Sequence, residues 1–273
     1  MDRIRKALDI ARQQRARAPE SSAAAAPAVE PISTLLPLPT AIHYTQTVSF
    51  RPPLALLEAN RIVDIGSSGH PAAAFRALRT QVLQRMEEHQ WKSLAIFSPT
   101  SDDGKTTTAI NLAISLANDE RHTVLLVDFD LQRPTIASKL GIQPERGADD
   151  VLRGEARIEQ CLYHPESFDR LVVFPARAPM ERSSEAIAGP RGRDLVAELR
   201  ARYSDRIILF DLPPVLGVDD ALAFAPLVEC GLVVVSEGST RREDLLRSIE
   251  LLRKTPIVGT VLNRAKYVPS AYG

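Results

Sequence analysis

Three short stretches of this sequence place residues that could handle a phosphorylated, metal-bound ligand. The first, SPTSDDGKTTTAINLA at 98–113, follows an apolar run and ends its loop in Gly104, Lys105 and Thr106. Backbone N–H groups of such a loop, and of the helix it opens, can converge on phosphate oxygens. Lys105 can reach the outer phosphates, and the Thr106 hydroxyl suits a Mg²⁺ coordination position. Ser101, Asp102, Asp103 and Thr107 complete the candidate nucleotide-binding turn. The second stretch, VLLVDFDLQRP, carries Asp128 and Asp130 at the carboxyl end of an apolar run. Alternate residues of an extended chain point the same way, so both carboxylates can face one ligand. The third, IILFDLPP, ends another apolar run in Asp211 and is stopped by Pro213 and Pro214. A loop lysine with three carboxylates suits Mg²⁺-nucleotide chemistry, because Mg²⁺ favours a few carboxylates together with phosphate oxygens and water.

The loop is poor in glycine. Pro99 stands where the common G-x-x-x-x-G-K-[ST] pattern has its first glycine, and Asp102 and Asp103 fill its middle. Turned outward, these two side chains would leave their N–H groups facing the phosphate. Residual repulsion between carboxylates and anion would then weaken nucleotide affinity.

Six apolar runs imply the scaffold: 93–98, 123–129, 170–176, 206–212, 230–238 and 255–263. Several are continuously hydrophobic, as strands covered on both faces are. Helical stretches alternate with them, and PAAAFRALRTQVLQRM before the first also reads as a helix. Strands separated by helices predict right-handed crossovers and a mostly parallel sheet with helices on both faces. Ligands of such sheets bind beyond the carboxyl ends of the strands, where all three motifs fall.

The 273 residues hold 34 basic and 34 acidic side chains, so no global field suggests nucleic acid or an anionic membrane as partner. The two cysteines, Cys161 and Cys230, have no metal-ligand spacing and suit a reducing compartment. The five histidines form no i, i+4 pair and read as ordinary surface or core residues. No apolar run approaches the length of a membrane-spanning helix, and the N-terminus lacks the apolar stretch of a signal peptide. A soluble cytoplasmic chain is expected.

Four segments follow. Residues 1–18 put Ile4, Ala7, Leu8 and Ala11 on one helical face amid arginines and Lys6. That helix is either a docking element for a partner or an anionic lipid surface, or a solvated terminus. Residues 19–55 are rich in Ala and Pro and read as a flexible linker, too poor in buriable apolar surface to offset its ordering entropy. Residues 56–265 form the α/β domain, and 266–273 are a tail with Tyr267 and Tyr272.

The order and spacing of SPTSDDGKTTTAINLAISLA, LLVDFDLQRP, FDLPPVLGVDDALAFAP and VGTVLN resemble the bacterial tyrosine autokinases of capsule and exopolysaccharide synthesis, over roughly residues 60–273. The N-terminal MDRIRKAL and the linker resemble the branch that accompanies exosortase-linked polymer loci. The resemblance implies a P-loop NTPase-like fold and ATP and Mg²⁺ as cofactors. It also implies phosphoryl transfer to tyrosine in the service of exopolysaccharide synthesis and export. Lys105 and Thr106 would hold the phosphates and Mg²⁺, with Asp130 and Asp211 on the metal directly or through water. Asp128 would stand near the attacking hydroxyl as a base or metal-linked orienter. Asn263 would lie near the adenine, and Tyr267 and Tyr272 would be phosphoacceptors. Tyr272 lies eight residues past Arg264, a reach of roughly 28 Å when extended, enough to enter a neighbour's site. A membrane-embedded polysaccharide co-polymerase would bring the chain to the inner face of the membrane, and the kinase would form a homo-oligomer.

The chain departs from that pattern in places. Many members use an E-x-x-R-x-x-R helix for ring assembly; Arg76 and Arg79 are present, but the glutamate position is Ala73. The tail has two tyrosines where many members have a dense cluster. Gln132 stands where an arginine usually follows the second motif, with Arg133 next to it. Two other readings stay open. One is a partner-switching ATPase, whose relatives carry a lysine five residues before the main one, here Thr100. The other is a degenerate nucleotide-binding subunit of the export machinery.

Overall fold

The computed structural model describes residues 47–63, 68–202 and 206–266. The N-terminal helix, most of the linker and both tail tyrosines lie outside them.

Eight strands form one sheet: β1 (Val48–Phe50), β2 (Ser93–Phe97), β3 (Thr123–Asp128), β4 (Tyr163–Pro165), β5 (Leu171–Phe174), β6 (Arg206–Asp211), β7 (Cys230–Ser236) and β8 (Ile257–Asn263). Their order is β1-β4-β5-β3-β6-β2-β7-β8. Six of the seven neighbour pairs are parallel, and only β4 with β5 runs antiparallel. Nine α-helices are described: α1 (Leu54–Ala59), α2 (His70–His89), α3 (Lys105–Ala117), α4 (Ile136–Leu140), α5 (Ala148–Arg153), α6 (Ser183–Ala188), α7 (Pro190–Ala201), α8 (Asp220–Phe224) and α9 (Arg242–Leu251).

The apolar runs become strands because both sheet faces are covered. Successive side chains go to opposite sides. Leu94, Ile96, Val124, Leu126 and Leu209 enter one core with α1 to α4. Ala95, Phe97, Leu125, Val127, Ile208 and Phe210 enter the other with α5 to α9. The rings of Phe129, Phe210 and Phe224 meet there at centroid distances of 4.7 to 5.7 Å. Each such side chain contributes about 1.5–3 kcal/mol by leaving water. On the first face α2 packs on α3, where Ser115 Oγ donates to the Phe75 carbonyl and Arg79 Nη1 to the Ser115 carbonyl.

The folded unit takes in residues that the sequence assigns to the linker. Val48–Phe50 pairs with Tyr163–Pro165, and Pro53 opens α1. Neither three-residue strand is legible as an apolar run, because VSF and YHP are too short to show a period. No described helix is long and apolar enough to cross a membrane.

A candidate nucleotide site

The strand order decides what meets what. β2 lies between β6 and β7, so the loop after β2 opens beside the end of β6, and β3 is one strand further on. Asp211 pairs in register with Ile96 of β2 on one side and with Asp128 of β3 on the other. Backbone bonds from Val215 to the Ser98 carbonyl, 2.9 Å, and from Leu216 to that of Pro99, 3.1 Å, tie the loops after β6 and β2 together.

The first turn of α3 carries the chemistry. Lys105 Nζ donates to Asp211 Oδ1 at 2.7 Å and lies 3.7 Å from Asp130 Oδ2. The Thr106 hydroxyl donates to Asp211 Oδ2 at 2.6 Å. Gly104 precedes them at φ +89, and a Cβ built there would stand 1.9 Å from Asn263 Nδ2. The left-handed backbone favours glycine here, and a Cβ would also force the Asn263 side chain to shift. A cavity of about 420 Å³ opens above this turn. Ser101, Asp102, Gly104, Lys105, Thr106, Thr107 and Asp130 line it.

Four expected site residues stand behind that lining. Asp128 and Asp211 are fully buried. Asp128 Oδ2 accepts the N–H groups of Thr135 and Ile136 at 3.0 and 2.9 Å, which starts α4, and its Oδ1 has no hydrogen-bond partner. Burial lifts the Asp128 carboxyl well above the usual range, and the Asp211 charge in the adjacent strand adds to this. Burial also raises Asp130, against the pull of Lys105. Asn263 lies against the loop, its Nδ2 donating to the Asp103 carbonyl at 2.9 Å and its Oδ1 accepting the Arg264 N–H at 2.9 Å.

The loop aspartates part company. Asp102 is exposed, as expected, in a left-handed conformation at φ +61 that Asp tolerates. Asp103 does not turn outward: it is buried, with its carboxylate against Thr100 and Thr240. The physical reason is donor supply, since the protein interior offers this carboxylate hydroxyl and amide donors at the back of the loop.

Other wall residues lie outside the expected site set. Lys139, Arg264, Pro213, Pro214, Gly217 and Val218 line the cavity, as do Gln132 and Arg133. Gln132 Nε2 also donates to Asp220 Oδ1 at 3.0 Å, a carboxylate whose Oδ2 is buried without a partner. Gln132 and Arg133 belong to the second motif and Pro213 and Pro214 to the third, whereas Lys139, inside α4, and Arg264, just past β8, carry no signal in the sequence.

The donor set fits Mg²⁺. One hydroxyl and two carboxylates, Thr106, Asp130 and Asp211, adjoin at the loop, and all are hard oxygen ligands. No group of three or more His, Cys, Asp or Glu side chains among the described residues forms a metal cage. That is the usual state of Mg²⁺-nucleotide sites, where phosphate and water complete the shell.

The model of the CobQ/CobB/MinD/ParA nucleotide binding domain matches residues 94–270. The chain is 29% identical over 194 residues to tyrosine-protein kinase YwqD of Bacillus subtilis, covering 70% of this chain and 80% of that one. It is 30% identical over 199 residues to the succinoglycan biosynthesis transport protein ExoP of Rhizobium meliloti, of which it spans only 25%. The crystal structure of the VpsO kinase domain superposes with a TM-score of 0.63 at 31% identity, over 71% of this chain and 94% of that one. With the lysine-bearing turn and the three strand-end carboxylates gathered as described, the chain belongs to the bacterial tyrosine autokinases, a branch of the CobQ/CobB/MinD/ParA nucleotide-binding domains.

Proposed function

We propose that this site binds Mg²⁺-ATP and transfers its terminal phosphoryl group to tyrosine, regulating exopolysaccharide synthesis and export. The observation that carries this reading is the meeting of Lys105 and Thr106 with Asp130 and Asp211 at the ends of β2, β3 and β6. YwqD, by name a tyrosine-protein kinase, and ExoP, a polysaccharide transport protein, support it.

In the transfer, the tyrosine oxygen forms a bond to the γ-phosphorus while the bond from that phosphorus to the bridging oxygen breaks, and ADP leaves. The main-chain N–H groups of the loop and of the α3 N-terminus bind the phosphate oxygens. Lys105 exchanges its contact with Asp211 for the phosphates and neutralises developing charge. Thr106, Asp130 and Asp211 would hold Mg²⁺, which supplies further charge neutralisation at the phosphoryl oxygens. Asp128, sealed beneath the cavity, takes the tyrosine proton through an intervening water. Its lifted carboxyl and unpartnered Oδ1 suit that part. Tyr267 and Tyr272, beyond the described residues, are the proposed acceptors.

The alternatives fare less well. An acidic loop motivates a degenerate site, yet Asp103 is buried and hydrogen-bonded within the protein. Thr100, where a partner-switching ATPase would carry lysine, is engaged by Asp103 through both its N–H and its hydroxyl. A cytoplasmic location follows from this reading, with a membrane-embedded co-polymerase as adaptor. The chain assembles with its own copies without the glutamate absent at Ala73, which is exposed on α2.

The test is incubation with Mg²⁺-ATP, with and without the cytoplasmic part of a polysaccharide co-polymerase, followed by phosphosite mapping. Label on Tyr267 or Tyr272 that is lost in Lys105→Met is expected. No tyrosine label in either condition overturns the kinase reading.

A further inference from the structure

An anion-binding loop with a carboxylate in its middle poses an electrostatic problem, and the structure shows how it is met. Asp103 is 1% exposed. Its Oδ2 accepts the Thr100 N–H at 3.0 Å and the Thr100 hydroxyl at 2.9 Å. Its Oδ1 accepts the Thr240 hydroxyl at 2.6 Å. The Thr240 oxygen in turn accepts the N–H of Ser236, the last residue of β7, at 2.8 Å. Three donors therefore compensate a charge that would otherwise be costly to bury. On the other side of the same peptide, the Asp103 carbonyl accepts Asn263 Nδ2 at 2.9 Å. The Asn263 carbonyl is held by the Glu237 N–H at 3.0 Å. The middle of the loop is thus gripped by its side chain and by its carbonyl, from residues 137 and 160 positions away.

On the reading that the loop binds nucleotide, we propose that Asp103 is a positioning residue of the site, acting through Thr100 and Thr240 with Asn263 as its counterpart. With side chain and carbonyl both committed to the protein interior, the peptide N–H groups of the turn are the groups left to face the cavity. Preorganised donors bind an anion without the ordering cost that a mobile loop would meet. This brace stands in for the conformational instruction that additional glycines give in loops of the common pattern. Asp103 contributes no contact to the anion and tightens binding nonetheless.

The probe is Mg²⁺-ADP, titrated calorimetrically against the full chain and against Asp103→Asn, Thr240→Val, Thr240→Ser and the Asp103→Asn/Thr240→Val pair. Each of the first two variants is expected to weaken Mg²⁺-ADP about tenfold, the effect of losing one hydrogen bond to a charged group. The pair should be no weaker than its worse member, because both changes release the same brace. Thr240→Ser, which keeps the hydroxyl, should recover most of the affinity lost in Thr240→Val. Nucleotide-free melting temperatures are recorded alongside. Variants that melt earlier but bind Mg²⁺-ADP as the parent does would show a merely structural role and overturn the proposal. So would strictly additive losses. If Asp103→Asn does not fold, the Thr240→Val and Thr240→Ser comparison still decides. A parent chain that binds no Mg²⁺-ADP overturns this inference and the nucleotide reading together. A parent that binds it but labels no tyrosine overturns only the kinase reading, and the affinity series still judges Asp103.

Discussion

Lys105 and Asp211 form an ion pair of 2.7 Å in which the carboxylate is wholly buried and the lysine nearly so. The only other hydrogen bond described for the Asp211 carboxylate comes from the Thr106 hydroxyl. The pair therefore serves the fold as well as the reaction. Lys105→Met should abolish tyrosine labelling and also destabilise the nucleotide-free chain by about 3 kcal/mol, because it strands a buried charge. Denaturant unfolding of the variant measures the second effect. A fully stable Lys105→Met would show that Asp211 finds another partner.

Asp128 should make the nucleotide-free protein less stable as pH rises. Burial first, and then the neighbouring Asp211 charge, raise its carboxyl. Its stabilising contribution is complete below the ordinary carboxylate range and is lost as pH climbs through the raised folded value. At neutral pH Asp128→Asn, which removes the penalised charge, should therefore raise Tm by a few degrees, with about 2–4 °C expected per kcal/mol. The same variant should lose most tyrosine labelling, and the parent's labelling rate should rise with pH through that value. A melting temperature lowered by Asp128→Asn at neutral pH would contradict the electrostatic account.

Gly104→Ala meets two obstacles. Its Cβ would fall 1.9 Å from Asn263 Nδ2, and the backbone is at φ +89. Adding Asn263→Ala removes the clash but leaves the strained backbone, at a cost of about 1 kcal/mol or more. Mg²⁺-ADP binding should be lost in Gly104→Ala and only partly regained in the double variant. Full recovery would mean that the left-handed turn is not required.

Far from the site, Glu229 closes the opposite end of the sheet. Its Oε2 accepts the N–H groups of Lys92 and Ser93 at 2.7 and 2.9 Å and the Ser93 hydroxyl at 3.0 Å, and Arg200 pairs with its other oxygen. Burial works to raise the carboxyl, yet these donors outweigh it and hold it below the usual 4.5. Its contribution is present above the ordinary value and is lost as pH falls through the lowered folded one. Glu229→Ala should cost about 2 kcal/mol at neutral pH, and the difference from the parent should shrink in acid. An unchanged difference at low pH would refute the assignment.

Local chemistry carried much of this protein into view. The runs 93–98, 123–129 and 206–212 announce covered strands because continuous apolar residues have no other stable place. Lys105, Thr106, Asp130 and Asp211 fall at strand ends, where sheets of this kind bind ligands. The short edge strands VSF and YHP stayed hidden, since three residues carry no period and their pairing is decided by distant partners. What tertiary structure alone decided is which oxygens face the cavity. Asp103 reads as a carboxylate beside the anion, yet Thr240 draws it inward. Asn263 closes on the loop, and Asp128 sinks beneath the wall that Asp130 lines. Residue types and spacing determine which groups arrive at the strand ends. The orientation of Asp103 and Asp211 depends also on hydrogen-bond donors more than a hundred positions away, and only the folded chain brings those donors within reach.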